Sequence, residues 1–217
     1  MEDIIIFGSG GQAKVIIDII LNQKKYNVIG LVDPYKDMNE LQFGYRILGN
    51  SKDYLILNKV YGGIVAIGDN WVRYETTQFI KNINANFQFV SCIHPNTTIG
   101  RNVKIGDGTV IMPGAVVGCE TKIGDGCIVN TLASIDHDSS IGNFVSIAPN
   151  AATGGGVIID NYTAIGLGAN IIHKIHIGEH TVVGAGSTVI NHIPSYVVSF
   201  GTPCKVIRER IKGDEYL

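Results

Sequence analysis

From Ile93 to Val189 an aliphatic residue returns at every sixth position, with no insertion or deletion. The series runs Ile93, Ile99, Ile105, Ile111, Val117, Ile123, Val129, Ile135, Ile141 and Ile147, lapses at Thr153, and resumes from Ile159 to Val189. Four residues after each comes mostly a small or β-branched one, such as Thr109, Ala115, Thr121 or Cys127. A strict period of six fits neither an α-helix nor an ordinary strand; it is the hexapeptide pattern of a parallel β-helix. Each hexad makes a short strand and a corner, and three close a triangular coil of eighteen residues. Ile and Val fill the tube, while Gly, Asn and Asp relax the corners. The 27 glycines of the 217-residue chain suit a fold that turns this often.

Residues 1 to about 90 lack this rhythm. Ile4–Phe7, Val28–Val32 and Ile64–Ile67 read as buried strands. Helical patterns cover about Gln12–Gln23, with Ala13, Ile16, Ile17 and Ile20 on one face, and Val72 to about Asn82. This order predicts a small α/β (Rossmann-like) domain over 1–90, followed by a β-helix over 91–193. Residues 194–217 read as a loop and tail, with a short basic helix over Cys204–Lys212. The net charge of -2 gives no reason to expect nucleic acid or an anionic membrane as partner. The apolar N-terminus lacks the basic flank of a signal peptide, and no stretch is long enough to span a bilayer. Four cysteines without a C-x-x-C pair suit a reduced, cytoplasmic setting.

Gly8-x-Gly10-x-x-Ala13 lies between strand and helix, and Asp33 follows about twenty residues on. Glycines there let backbone approach a phosphate at a helix N-terminus. Only about ninety residues are available, so a nucleotide is favoured over a whole dinucleotide, with a ligand-free tight turn as the alternative. On the coils, residues eighteen apart stack at roughly the strand spacing of 4.8 Å. One edge column therefore holds Arg101, Cys119, His137, Gly155, His173 and Asn191. His137 lies between Asp136 and Asp138, and Gly155 stands above it within Gly154-Gly155-Gly156, beside the lapse at Thr153. These acidic neighbours and this glycine opening suit a general base. A second column carries Leu167 and Ala185 among glycines, a smooth groove for an extended ligand. His173, His176 and His180 fall in different columns, which argues against a zinc site.

Residues 6–14 (Ile-Phe-Gly-Ser-Gly-Gly-Gln-Ala-Lys), Asp33, Ala66-Ile67-Gly68-Asp69-Asn70-x-x-Arg73, Ile135-Asp136-His137-Asp138 and the closing Gly201-Thr202-Pro203-Cys204-Lys205 form a combination. Together they resemble the bacterial sugar acyltransferases of the sialic acid O-acetyltransferase and nucleotide-aminosugar N-acetyltransferase type. That resemblance implies a left-handed β-helix, a homotrimer, acetyl-CoA between neighbouring helices, no metal, and a place in surface polysaccharide (O-antigen) assembly. It puts the catalytic histidine on His137 and its acidic partner on Asp138. Substrate contacts fall on Gly10, Gly11, Gln12, Asp33 and Gly68, and acetyl-CoA contacts on Ser146, Gly155, Leu167 and Ala185. The chain departs at Gln12 and Ser146, where members often carry His, and at Cys204, commonly Ala. The implied reaction is N-acetylation of a nucleotide-linked (4-)amino-dideoxy sugar. O-acetylation of a sialic acid is the close alternative, and a zinc-containing or non-catalytic β-helix the distant one.

Overall fold

The computed structural model describes residues 1–49 and 60–214. β1 (Glu2–Phe7) is central in a parallel sheet, with β2 (Tyr26–Val32) on one side and Gly62–Val65 on the other. A parallel bridge between Gly63 and Phe89 extends the sheet toward the coils. The helix α1 (Gly11–Gln23) buries Ala13, Ile16, Ile17, Ile19 and Ile20, and Lys24 ends it in the left-handed conformation at φ 56°. A second helix, Asn70–Ile83, is capped by Asp69, whose side chain accepts from the Val72 N–H at 2.9 Å. A small hairpin, Leu41–Gln42 with Tyr45–Arg46, had no clear sequence pattern.

From Cys92 onward the chain forms the left-handed parallel β-helix, in strands of two residues. Pairing follows the eighteen-residue step: Val117 with Ile135, Ile123 with Ile141, and Val129 with Ile147. The second residue of each strand points into the tube and the first points out. Ile135, Val129, Ile177 and Val189 are completely buried there. Ile99 departs from the expected tube, being 37% exposed, because it belongs to the first coil and nothing stacks beneath it. Thr153 stays inside, so the lapse changes the chemistry of the column without breaking the coil. Burying each such side chain stabilises by about 1.5–3 kcal/mol.

The α/β domain docks on one face of this prism. Cys92, Val110 and Ile128 point out of the tube, yet they are buried in one apolar cluster with Ile16, Ile19 and Ile20 of α1. The second helix docks through rings. Phe144, Tyr162 and His180 occupy successive left-handed corners (φ 55°, 60° and 49°) and stack along the edge. Trp71 and Tyr74 of the helix meet this ladder, with Trp71 5.3 Å from His180 and Tyr74 5.4 Å from Phe144. Left-handed φ costs non-glycine residues roughly 1–2 kcal/mol, which ring contacts offset here.

The tail differs from the helix expected over Cys204–Lys212. Val197–Phe200 adds to the sheet above Val182–Val183, and Lys205–Glu209 pairs antiparallel with it. Cys204, Ile193 and Val197 close the apolar top of the tube. An open solenoid end exposes apolar side chains and unpaired rungs, so capping by a strand prevails over the weak helical pattern.

His180 is 3% exposed between Tyr162 and Tyr196. Burial, aided by Arg210 and Lys212 and opposed by Glu179, holds its pKa below the ordinary 6.5. The folded state therefore prefers neutral imidazole. This contribution to stability is complete above pH 6.5 and is lost as pH falls toward the depressed value. Thermal unfolding of wild type should drop more steeply below that pH than unfolding of His180→Phe, a ring already tolerated at Phe144. Parallel pH curves for the two proteins would contradict the assignment.

Candidate active site

The loop after β1 is shaped by backbone chemistry. Gly8 has φ +105°, and a Cβ there would stand 2.9 Å from the Ala66 carbonyl oxygen. Gly10, Gly11 and Gly68 are different: a Cβ on any of them would meet nothing within 4 Å. These glycines bound open space. Gly10 caps α1 without a side-chain hydrogen bond, and the first turn holds no acidic residue. The helix start therefore offers N–H groups and a partial positive charge to an anion. Asp33 ties this loop down. Its Oδ2 accepts from the Ser9 N–H (3.0 Å) and hydroxyl (2.6 Å), and its Oδ1 from the Tyr35 N–H (2.9 Å). Asp33 also lines a cavity of about 460 Å³ with Gly8, Pro34, Tyr35 and Phe79.

A second cavity, of about 390 Å³, joins the two domains. Gln12 and Gly68 of the α/β domain line it together with Ser146, Leu167 and Ala185 of the coils. Members of the two residue sets expected to hold different substrates thus share one space, while Gly10, Gly11, Asp33 and Gly155 lie outside it. The buried Nε2 of Gln12 has no hydrogen-bond partner among the described residues, so a donor is left for a ligand. Ser146 is 8% exposed and donates to Asn70 Oδ1 at 2.6 Å. Asn70 Oδ1 also accepts from Arg73 Nη2 at 2.7 Å. The buried Arg73 donates as well to the carbonyls of Gly126 (2.7 Å), Ile67 (2.9 Å) and Gly68 (2.7 Å). Arg73 and Asn70 thereby fix the Gly68 loop against the coil carrying Ser146. Their motif belongs to the resemblance, but no spacing or pattern assigns them this joint.

His137 and Gly155 line neither cavity. They occupy the next corner of the prism, one third of a coil after the corner of Leu167 and Ala185. His137 Nδ1 is 2.6 Å from Asp138 Oδ2. That hydrogen bond first, and the Asp136 charge second, raise the imidazole pKa above 6.5. The ring lies on Gly155, where a Cβ would stand 2.6 Å from Nε2. This contact explains the glycine above the histidine. In the same segment, the Gly154 N–H donates to the Ile171 carbonyl and the Gly156 N–H to the His137 carbonyl, each at 2.8 Å. Of these three glycines only Gly155 has its N–H outside the backbone ladder, so it is the group of this segment able to donate to a developing oxyanion.

The histidine run does not converge. His176 Nε2 meets Asp160 Oδ2 at 2.7 Å, and His180 lies in the aromatic ladder. Among the described residues no group of three or more His, Cys, Asp or Glu side chains has metal-binding geometry. Nor is any described helix long and apolar enough to cross a membrane.

Residues 3–79 match the PglD N-terminal domain, and residues 102–137 match the bacterial transferase hexapeptide of six repeats. No curated protein matches the sequence. The chain is 31% identical to PerB of Caulobacter crescentus, solved with CoA and GDP-perosamine. The TM-score is 0.88, covering 96% of this chain and 98% of that one. The acetyltransferase domain of PglB from Neisseria gonorrhoeae, in complex with acetyl coenzyme A, is 29% identical at a TM-score of 0.84, covering 95% and 99%. WeeI from Acinetobacter baumannii, 24% identical with 95% and 100% covered, shares the fold at a TM-score of 0.83. The chain belongs to the hexapeptide-repeat sugar acetyltransferases that carry a PglD-type N-terminal domain.

Proposed function

We propose that this protein transfers the acetyl group of acetyl-CoA directly to the amine of a nucleotide-linked 4-amino-dideoxy sugar. One observation carries the reading: a single cavity joins Gln12 and Gly68 to the groove of Ser146, Leu167 and Ala185. In this reading Gly10 and Gly11 hold the phosphates, the Asp33 cavity takes the nucleoside, and Gln12 and Gly68 hold the sugar. The smooth groove takes the pantetheine arm. GDP-perosamine bound with CoA in the 31% identical relative supports an amino sugar over a free sialic acid. We also place the enzyme in the cytoplasm, in surface polysaccharide assembly.

His137 and the groove occupy different corners of one prism, so the site is completed by a neighbouring copy in a homotrimer. Nδ1 is committed to Asp138, which leaves Nε2 as base. The amine nitrogen attacks the thioester carbonyl and Nε2 removes its proton. Collapse of the tetrahedral intermediate breaks the C–S bond, and the proton passes to the departing thiolate. The Gly155 N–H is placed to stabilise the oxyanion, and Asp138 stabilises the imidazolium.

Thiol release from acetyl-CoA should occur with UDP-, GDP- or dTDP-linked 4-amino sugars and not with free sialic acid; the reverse would overturn the assignment. His137→Ala should lower turnover by about 10²-fold or more with the trimer intact, and unchanged turnover would remove His137 from its role. Gly155→Ala should displace the ring and cost on the order of 10²-fold. The base works as neutral imidazole, so kcat/KM should rise with pH through a value above 6.5. Asp138→Asn should move that limb downward; an unmoved limb would separate Asp138 from the titration.

A further inference from the structure

The lapse at Thr153 alters one rung of the coil. Elsewhere on this face the residue after each strand donates its N–H to the carbonyl of the tube residue above. Gly118 donates to Ile135 and Gly154 to Ile171, at 2.7 and 2.8 Å. The other two faces repeat this, as from Gly124 to Ile141 and from Asn130 to Ile147. Asp136 instead donates to the side chain of Thr153, at 3.2 Å from Oγ1. Ser134 still pairs with Ala152, and Thr153 with Ile171, so the change is confined to the rung beside His137.

That rung leads directly to the imidazole. The Asp136 carbonyl accepts from the Thr121 hydroxyl at 3.1 Å, so the backbone of Asp136 is held by threonine hydroxyls from the coils below and above. Asp136 Oδ1 accepts from the His137 N–H at 2.7 Å. Asp138 N–H donates to the Cys119 carbonyl at 3.0 Å, completing the hold on residues 136–138. An aliphatic residue at 153 would better fill an apolar tube, as at sixteen of the seventeen positions from Ile93 to Val189. The Thr153 hydroxyl supplies an acceptor from inside the tube that an aliphatic side chain lacks.

We propose that Thr153 is a positioning residue, whose hydroxyl sets the Asp136 backbone and through it the placement of His137 over Gly155. The inference rests on His137 being the base. Thr153→Val removes the hydroxyl at nearly constant shape, and Val occupies the tube at Val117, Val129, Val183 and Val189, so folding is preserved. Its kcat should fall by roughly tenfold, the effect of one hydrogen bond, with KM for both substrates unchanged. Thermal stability should hold or rise, and Thr153→Ser should recover most of the turnover. The His137 ring, followed by NMR titration without substrates, should titrate closer to its ordinary value in Thr153→Val as the Asp136 carboxylate loses its place. Wild-type kcat together with an unchanged titration would overturn the proposal. The titration separates two failures. If His137→Ala keeps turnover while Thr153→Val still shifts the ring, the base reading fails and the positional link stands.

Discussion

The coils, and the side chains they carry, are positioned by the hydrogen-bonded ladder that pairs residues eighteen apart. Each coil donates to the one above at 2.7–3.1 Å, and the rungs allow no slippage because the tube residue and the corner residue alternate with outward ones. A one-residue slip would turn Ile135 out of the core and put Ser134 or Asp136 in its place. The ladder thus fixes which side chains lie above one another, to within a strand spacing. It places an imidazole on a glycine at one corner and small residues along another. The α/β domain adds no comparable ladder; it gains its fixed place from the apolar faces of α1 and from ring stacking on the corners.

Polar joints then set the finer geometry. Arg73 and Asn70 are buried where a mobile interface would cost little, and their bonds reach the Gly68 loop and Ser146 together. Burying a guanidinium is expensive unless its donors are satisfied, so this joint favours one relative placement of the domains over a family of them. At the other corner, the His137–Asp138 bond is exposed and contributes little to stability. Its consequence is chemical: it fixes the tautomer, directs Nε2 away from Asp138, and raises basicity.

Much of this was legible from spacing. The period of six defines the coils, and counting in eighteens places Gly155 above His137. Other features were not legible, for physical reasons. Gln12 and Ser146 share a cavity through the docking of two domains, which no periodicity encodes. The aromatic residues at 144, 162 and 180 occupy corners where glycine was expected, because ring contacts outweigh a local backbone preference. The C-terminal strand forms because a solenoid end must be closed, a demand that arises only in three dimensions. Thr153 could be read as an interruption; that its hydroxyl replaces a carbonyl in the ladder follows only from the geometry.

In the proposed reaction the base of one copy acts on substrates held by the next. Hybrid trimers test it most directly. His137→Ala lacks the base, and Ala185→Trp blocks the groove, so each homotrimer should be inactive. Trimers assembled from both chains should contain an interface with an intact His137 facing an intact groove, and thiol release should return there. Hybrid trimers that form and remain inactive would contradict it.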